Sequence, residues 1–356
     1  MPPSELAPAR VTTPARLRTQ IAGIIGLGRA LPELVVENDP IAARIGVEPA
    51  WITKRTGIST RRRSTEGEGL SDLAIAAGAR AIAAAGIDPV YLDAVLVATS
   101  SADDIVPQAA PIVAGALGAH RAMAWDVGLA CTGFLAGLQQ GAALIESGRA
   151  NTVLLIGADV LARYTDHDDR QTAALFGDGA AAAVLAPGGP ASIGPIVLGA
   201  DAQRDVLYID RTERVVRMEG RLVYQQAIDH MEQSCRDLLD IAQLDIDDIH
   251  LVIAHQANGR IINAVRERFG LDADRVADYV GSLGNTSAAS IPLALSLAQD
   301  HGRLPAHGHV LLTAFGAGFS WGAALLSFGE EISSPRRSSA RAPMRARPTT
   351  PPPRRA

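Results

Sequence analysis

Only two cysteines, Cys131 and Cys235, occur among 356 residues. So few give no disulfide framework and no zinc-ligand spacing, and they suit a reducing compartment. A basic excess is also missing. The formal net charge is -5, which argues against nucleic acid as the main ligand. No apolar run reaches the ~18 residues of a membrane span. The N-terminal segment lacks the charged-then-apolar-then-small order of a signal peptide. The expectation is a cytoplasmic chain that engages neither membrane nor nucleic acid. GIIGLG (23–28) lacks the third glycine of a dinucleotide loop, and no Walker lysine is present, which sets both nucleotide readings aside. No HExxH or DxDxDG pattern occurs, so no metal is implied.

What is present is apolar bulk. Hydrophobic residues make up 47% of the chain, enough for a sizeable core in one large domain or two fused ones. The ends are different. Residues 1–18 are Pro-, Ala- and Arg-rich and read as a loose arm. Residues 331–356 hold Pro, Ser, Thr and Arg and almost nothing apolar. That tail cannot bury enough surface to offset its ordering entropy, so it is expected to be disordered.

Between the ends, strand-like runs alternate with helix-like stretches. AVLVATS (94–100), TVLLIGAD (152–159), LVIAH (251–255) and VLLTAFG (310–316) read as buried strands, and PQAAPIVAGALG (107–118) and RIINAVRERFG (260–270) as helices. Such alternation implies an α/β architecture with strands covered on both faces. The order also repeats. In the first half come a strand, a helix, GLACTGF (128–134), a helix, TVLLIGAD and the Gly-rich FGDGAAAAVL (176–185). In the second come LVIAH, a helix, GSLGNTSAAS (281–290), a helix, VLLTAFG and GAGFSWGAALL (316–326). The reading is a duplicated α/β unit, split as 19–190 and 191–330, with Cys131 and Asn285 at matching positions.

Cys131 follows the strand-like MAWDVG (123–128) and opens a helix-like segment. The positive end of a helix favours a thiolate, so its pKa is expected to fall. Its small neighbours permit a tight turn; the bland reading is a buried structural cysteine. Cys235, inside MEQSCRDLLDIA, reads as packing. His255 ends an apolar strand, where ligands gather in open α/β sheets. A neutral imidazole there can activate a nucleophile or polarise a carbonyl. His120, His167, His230, His250, His301, His307 and His309 fall in loops or on charged helix surfaces and have weaker cases. Asn285, taken alone, reads as a helix N-cap; the repeat supplies the catalytic alternative. The backbone of GAGFSWG (316–322) could point N–H groups at a developing oxyanion.

WITKRTGISTRR (51–62), ACTGF (130–134), LFGDGAAAAVL (175–185), HQAN (255–258), GNTSAAS (284–290) and GFSWG (318–322), in this order, resemble β-ketoacyl-acyl-carrier-protein synthase III over about residues 21–328. The resemblance implies a thiolase-like fold of duplicated halves in five α-β-α-β-α layers, in a homodimer. It implies a Cys-His-Asn triad: Cys131 takes an acyl group from coenzyme A, and His255 and Asn285 stabilise the enolate formed when malonyl-acyl-carrier protein loses carbon dioxide. The backbone N–H groups of Cys131 and Ala317 would form the oxyanion hole. Trp51 and Arg170 match coenzyme A contacts, and Arg55 and Arg260 match basic residues where an acidic carrier protein docks. Ordinary packing for Trp51 and a solvated face for the arginines are the bland alternatives. Acyl-CoA enters as a substrate, and no cofactor is implied.

Two departures stand out. Ala317 replaces a frequent Gly, which leaves the backbone donor in place. Val106 stands where family members can carry a bulky aromatic that crosses the dimer and closes the partner's acyl pocket, so primers larger than acetyl are expected. The charged stretch 200–220 reads as a loop over the substrate entrance. The expected reaction is acyl-CoA-primed decarboxylative condensation, in fatty-acid initiation or polyketide starter formation. The alternatives are acyl transfer from Cys131 to an O, N or S acceptor without decarboxylation, a non-catalytic subunit (which predicts loss of the nucleophile), or a hydroxymethylglutaryl-type synthase. The last requires an acidic base near the cysteine, which the sequence does not place.

Overall fold

The computed structural model describes residues 20–329. The expected loose arm and disordered tail lie outside the described residues. The strands in chain order are β1 (Ala22–Ala30), β2 (Leu34–Glu37), β3 (Thr60–Arg63), β4 (Ala94–Ala98), β5 (Met123–Val127), β6 (Val153–Val160), β7 (Asp178–Pro187), β8 (Ala191–Ala200), β9 (Leu207–Ile209), β10 (Val216–Met218), β11 (Ile249–Ala254), β12 (Gly308–Gly316) and β13 (Ser320–Phe328). The helices are α1 (Asn38–Ile45), α2 (Pro49–Thr56), α3 (Leu70–Ala85), α4 (Ala109–Ala116), α5 (Gly133–Glu146), α6 (Gly220–Ala242), α7 (Gly259–Arg268), α8 (Val280–Leu283) and α9 (Ser290–Asp300).

Nine strands form one sheet in the order β11-β12-β13-β8-β1-β7-β6-β4-β5. That order reads the same outward from its middle. From β1 the neighbours are β7 antiparallel, β6 antiparallel, then β4 and β5 parallel. From β8 they are β13 antiparallel, β12 antiparallel, then β11 parallel, with Val276 bridging to Val252 in parallel where a fifth strand would lie. The two series meet where Gly23 faces Ser192 and Ile24 faces Ala191. The repeated order of the sequence is therefore a repeated topology.

Alternation along the strands builds the layers. Leu96, Leu155 and Leu185 from one half, with Leu251, Leu312 and Leu326 from the other, share a core with Phe134, Leu138, Ile291 and Leu295 of α5 and α9. The intervening residues Val95, Val97, Leu154 and Ile156 face outward onto α3 and α4. In the other half Val252, Leu311 and Leu325 face α6 and α7. Helices, sheet, helices, sheet, helices is the five-layer arrangement. Both faces of the central strands are covered, which is why they read as unbroken apolar runs. Gly28 in GIIGLG serves this packing: a Cβ there would fall on the backbone of α3 at Ala81, so the glycine lets strand and helix approach closely. Cys235 is buried in the outer core of the second half, as packing. Among the described residues no helix is long and apolar enough to cross a membrane.

Candidate active site

A cavity of about 890 Å³ runs from an exposed end lined by Trp51, Arg55, Arg170 and Arg260 to an inner end lined by Cys131, His255 and Asn285. The fold explains the meeting. Cys131 lies between β5 and α5, Asn285 between α8 and α9, and His255 directly after β11. All three sit at ends of elements in the middle and second-half layers.

Cys131 does not open α5 itself. It lies in a single 3-10 turn, Ala130–Thr132, with α5 beginning at Gly133. The residue is half-buried because the cavity reaches it, although protein atoms surround the sulfur elsewhere. Burial pushes the thiol from 9.0 up to about 12, opposed by a hydrogen bond to Ser287 and reinforced by the charge of Asp159. The expected fall in pKa is thus not found. A helix N-terminus contributes at most ~2 kcal/mol, against ~4 kcal/mol for a rise of this size. Gly316 of β12 leaves the room the cysteine needs: a Cβ at Gly316 would sit 3.0 Å from both Cβ and N of Cys131. The segment after β12 is tied to the cysteine turn by hydroxyls. Thr132 donates to Ser320 at 2.8 Å, and Ser320 donates to the Ala317 carbonyl at 3.0 Å. Ala317 lines the cavity beside Cys131.

His255 is buried. Burial lowers it to about 4, so it is neutral at ordinary pH. Its Nδ1 lies 2.7 Å from Ser290 Oγ, which already accepts the Gln256 N–H at 2.8 Å. A buried hydroxyl proton requires an acceptor, and Nδ1 is the one in reach. The network therefore assigns the hydrogen to Nε2, leaving it as a donor. Asn285 is also buried. Its Oδ1 accepts the Ser287 N–H at 2.9 Å, which leaves the Nδ2 amide to the cavity. Asn285 is therefore not the N-cap expected from its residue type. The cap positions are Thr286 and Ala289, and the Asn285 oxygen closes an Asx turn one step earlier, while its nitrogen is free to donate. The LFGDG motif holds this residue in place: Asn285 N–H donates to the Leu175 carbonyl at 2.8 Å, and Gly177 N–H donates to the Asn285 carbonyl at 3.0 Å.

At the exposed end the Arg55 guanidinium lies 4.9 Å from the centre of the Trp51 ring, and Arg260 lies 5.2 Å from that of Tyr224. Arg170 donates to the carbonyls of Ile45 and Gly46 at the end of α1, at 2.8 and 3.2 Å. The charged stretch 200–220 contains the hairpin β9–β10 rather than an irregular loop. Leu207, Ile209, Val216 and Met218 line the cavity, while Arg217 pairs outward with Asp166 at 2.9 Å and with Glu213. Val106 is 83% exposed and does not line the cavity of its own chain.

Sequence reasoning passed over several groups here. Ser287 and Ser290 lie inside a motif read for its asparagine. His230 was set aside as a surface histidine, yet it stacks on Trp321 with ring centres 3.9 Å apart. Asp159 is fully buried beneath the site; an acid ending an eight-residue apolar strand was the available signal. Among the described residues no cluster of three or more His, Cys, Asp or Glu gathers as a metal site.

Chemically, the arrangement can hold a thioester over a sulfur nucleophile while two neutral N–H donors face the same space. The comparisons with known proteins agree. Residues 125–202 match the family model 3-oxoacyl-[acyl-carrier-protein] synthase III, and residues 239–328 match the model of its C-terminal part. A β-ketoacyl-[acyl-carrier-protein] synthase III of Pseudomonas aeruginosa is 42% identical over 320 residues, covering 86% of this chain and 96% of that one. The crystal structure of 3-oxoacyl-(acyl carrier protein) synthase III from P. aeruginosa PAO1 superposes with a TM-score of 0.83 at 40% identity, covering 87% and 99% of the two chains. The priming β-ketosynthase of the R1128 polyketide pathway gives a TM-score of 0.83 at 33% identity, covering 89% and 98%. The chain belongs to the β-ketoacyl-[acyl-carrier-protein] synthase III family, acyltransferases of the thiolase fold.

Proposed function

We propose that this protein condenses an acyl-CoA primer with malonyl-acyl-carrier protein, giving β-ketoacyl-acyl-carrier protein, coenzyme A and carbon dioxide, in fatty-acid initiation or polyketide starter formation. The observation that carries the reading is the pair of neutral donors, His255 Nε2–H and Asn285 Nδ2–H, facing the cavity that also reaches Cys131. In the first half-reaction the Cys131 sulfur attacks the primer thioester, with the backbone N–H groups of Cys131 and Ala317 as the oxyanion hole. In the second, malonyl thioester enters the emptied cavity. Loss of carbon dioxide leaves an enolate whose oxygen both donors stabilise, in apolar surroundings that disfavour the departing carboxylate. The enolate carbon then attacks the acyl group on Cys131.

Trp51 and Arg170 are assigned to the adenine end of coenzyme A, and Arg55 and Arg260 to the acidic carrier protein. Their positions at the exposed end of the cavity support this. The reading includes a cytoplasmic homodimer. The exposed apolar tip formed by Ile105, 93% exposed, and Val106 supports a partner surface there, and the small Val106 supports primers larger than acetyl; strict acetyl preference in a primer panel refutes that last point.

The test is to mix the protein with a panel of acyl-CoAs and malonyl-carrier protein and weigh the carrier's pantetheine arm, with Cys131→Ala alongside. A β-ketoacyl group formed by the wild type alone supports condensation. An acylated Cys131 with no β-ketoacyl arm refutes it and leaves acyl transfer to another acceptor.

A further inference from the structure

The hydrogen bond of the Cys131 thiol goes to Ser287 Oγ, at 3.6 Å. It does not go to His255, whose Nδ1 is engaged by Ser290. Yet the reacting species is a thiolate, and this thiol lies in surroundings that keep it protonated. Its proton needs a destination.

One lies directly behind. Asp159, at the end of β6, is fully buried and does not line the cavity. Oδ1 accepts the Thr99 hydroxyl at 3.1 Å, the Ser100 N–H at 2.9 Å and the Ser101 hydroxyl at 2.7 Å, and Oδ2 accepts the Ala288 N–H at 3.1 Å. The Ser287 side chain lies beside this carboxyl and opposes the rise in its proton affinity, and the next residue, Ala288, carries the N–H bound to Oδ2. Two of these partners are backbone N–H groups, which can only donate. The two hydroxyls are oriented as well, because Thr99 Oγ accepts the Ser101 N–H and Ser101 Oγ accepts the Val160 N–H. Their protons are left for Asp159. A full set of donors marks an ionised carboxylate at rest. Burial nevertheless raises its proton affinity above the usual carboxylate range. Among the described residues no lysine or arginine pairs with it. The result is a charged acceptor, with no counter-ion among the described residues, one hydroxyl away from Cys131.

We propose that Ser287 and Asp159 form a proton relay beneath Cys131, receiving the thiol proton during acyl transfer and returning it when the sulfur is later expelled. The inference rests on Cys131 being the acyl carrier. As the sulfur–carbon bond forms, the thiol proton passes to Ser287 Oγ and the Ser287 proton passes to Asp159. The carbon–sulfur bond to coenzyme A breaks, and its thiolate takes a proton from water at the open end. Asp159 holds its proton while the acyl group stays on Cys131. When the enolate carbon takes the acyl group, the Cys131 thiolate recovers a proton through Ser287 and Asp159 is ionised again. This acid differs from the base that a hydroxymethylglutaryl-type synthase requires, because it faces the back of the cysteine turn and not the substrate.

The test compares wild type, Ser287→Ala and Asp159→Asn in single-turnover acylation by acyl-CoA, followed by the mass of Cys131 and, in weak buffer with a pH indicator, by proton uptake. Relays of this kind contribute about 10²-fold or more. The expected result is a loss of that size in the acylation rate of Ser287→Ala at an unchanged melting temperature. Wild type should take up close to one proton per acyl-enzyme and Ser287→Ala close to none. Proton counts discriminate the relay from a structural role, because a merely loosened turn slows acylation without changing them. A wild-type rate in Ser287→Ala, or no uptake by wild type, overturns the relay. If Asp159→Asn does not fold, Ser287→Ala alone carries the comparison. If wild-type Cys131 takes no acyl group from any thioester, the acyl-carrier reading itself falls, a result distinct from either.

Discussion

The turn Ala130–Thr132 before α5 and the turn Ser287–Ala289 before α9 stand at the same station in the two halves of the sheet. Each begins with a non-glycine residue in the left-handed region, Ala130 at φ 44° and Ser287 at φ 50°, and each leads into a helix of the shared middle layer. Aligned on these residues, Cys131 corresponds to Ala288 and not, as the repeat in the sequence suggested, to Asn285, which lies two places before its turn begins. The first turn presents the Cys131 side chain to the cavity. The second presents nothing reactive: Asn285 offers an amide donor, Ser287 a hydroxyl to the sulfur, and Ala288 a backbone N–H to Asp159. Duplication thus supplied two strained helix starts that face each other, one holding the cysteine and the other the hydrogen-bonding groups around it.

The comparison breaks most completely at its reactive member. Cys131→Ala should lower condensation by about 10⁵–10⁶-fold, read as the absence of acyl-enzyme by mass. Asn285→Ala should act on the other half-reaction. Decarboxylation of malonyl-carrier protein by pre-acylated enzyme should drop about 10²–10³-fold, as for one lost oxyanion donor, while acylation of Cys131 stays near wild type. Equal losses in both half-reactions would show that the two turns are not divided in labour.

The two donors differ in a further way, because His255 titrates and Asn285 does not. The unfolded chain binds a proton at His255 near 6.5, and the folded one only near 4. Its contribution to stability is therefore present above pH 6.5 and lost as pH falls toward 4. At about 1.36 kcal/mol for each pH step, the loss is about 3 kcal/mol. Denaturant midpoints between pH 7 and 4 should show this slope in wild type and a shallower one in His255→Gln. The smallest effect is expected at Gly316→Ala. The added methyl meets Cys131 at 3.0 Å and should slow acylation by about 10-fold through displacement of the sulfur, with the decarboxylation rate of pre-acylated enzyme changed less.

Much of this was legible in the order of residues. Burial on both faces writes strands such as β4, β6 and β12 as continuous apolar runs, and their alternation with helices wrote the fold class. The duplication was legible as an order of segments. Its register was not, because φ at Ala130 and Ser287 leaves no mark that composition can show. Cys131, His255 and Asn285 could be picked out by their places at element ends. The thiol's rise to about 12 could not, since it depends on which atoms surround the sulfur. Asp159 was written plainly at the end of TVLLIGAD, yet an acid closing a strand reads as a turn residue until its donors are known.

The sequence by itself determined the alternating elements, the repeat and the place of Cys131 at an element end, because local periodicity and residue chemistry are properties of neighbours along the chain. Only the tertiary structure decided that Asn285 turns its amide nitrogen and not its oxygen to the cavity, that His255 carries its hydrogen on Nε2, and that Asp159 lies behind Cys131. The last two are set by hydrogen bonds between segments far apart in sequence, and such partners exist only once the two halves have closed around α5 and α9. The Asn285 amide is oriented by the N–H of Ser287 two residues on, in a turn whose backbone is bound to Leu175 and Gly177.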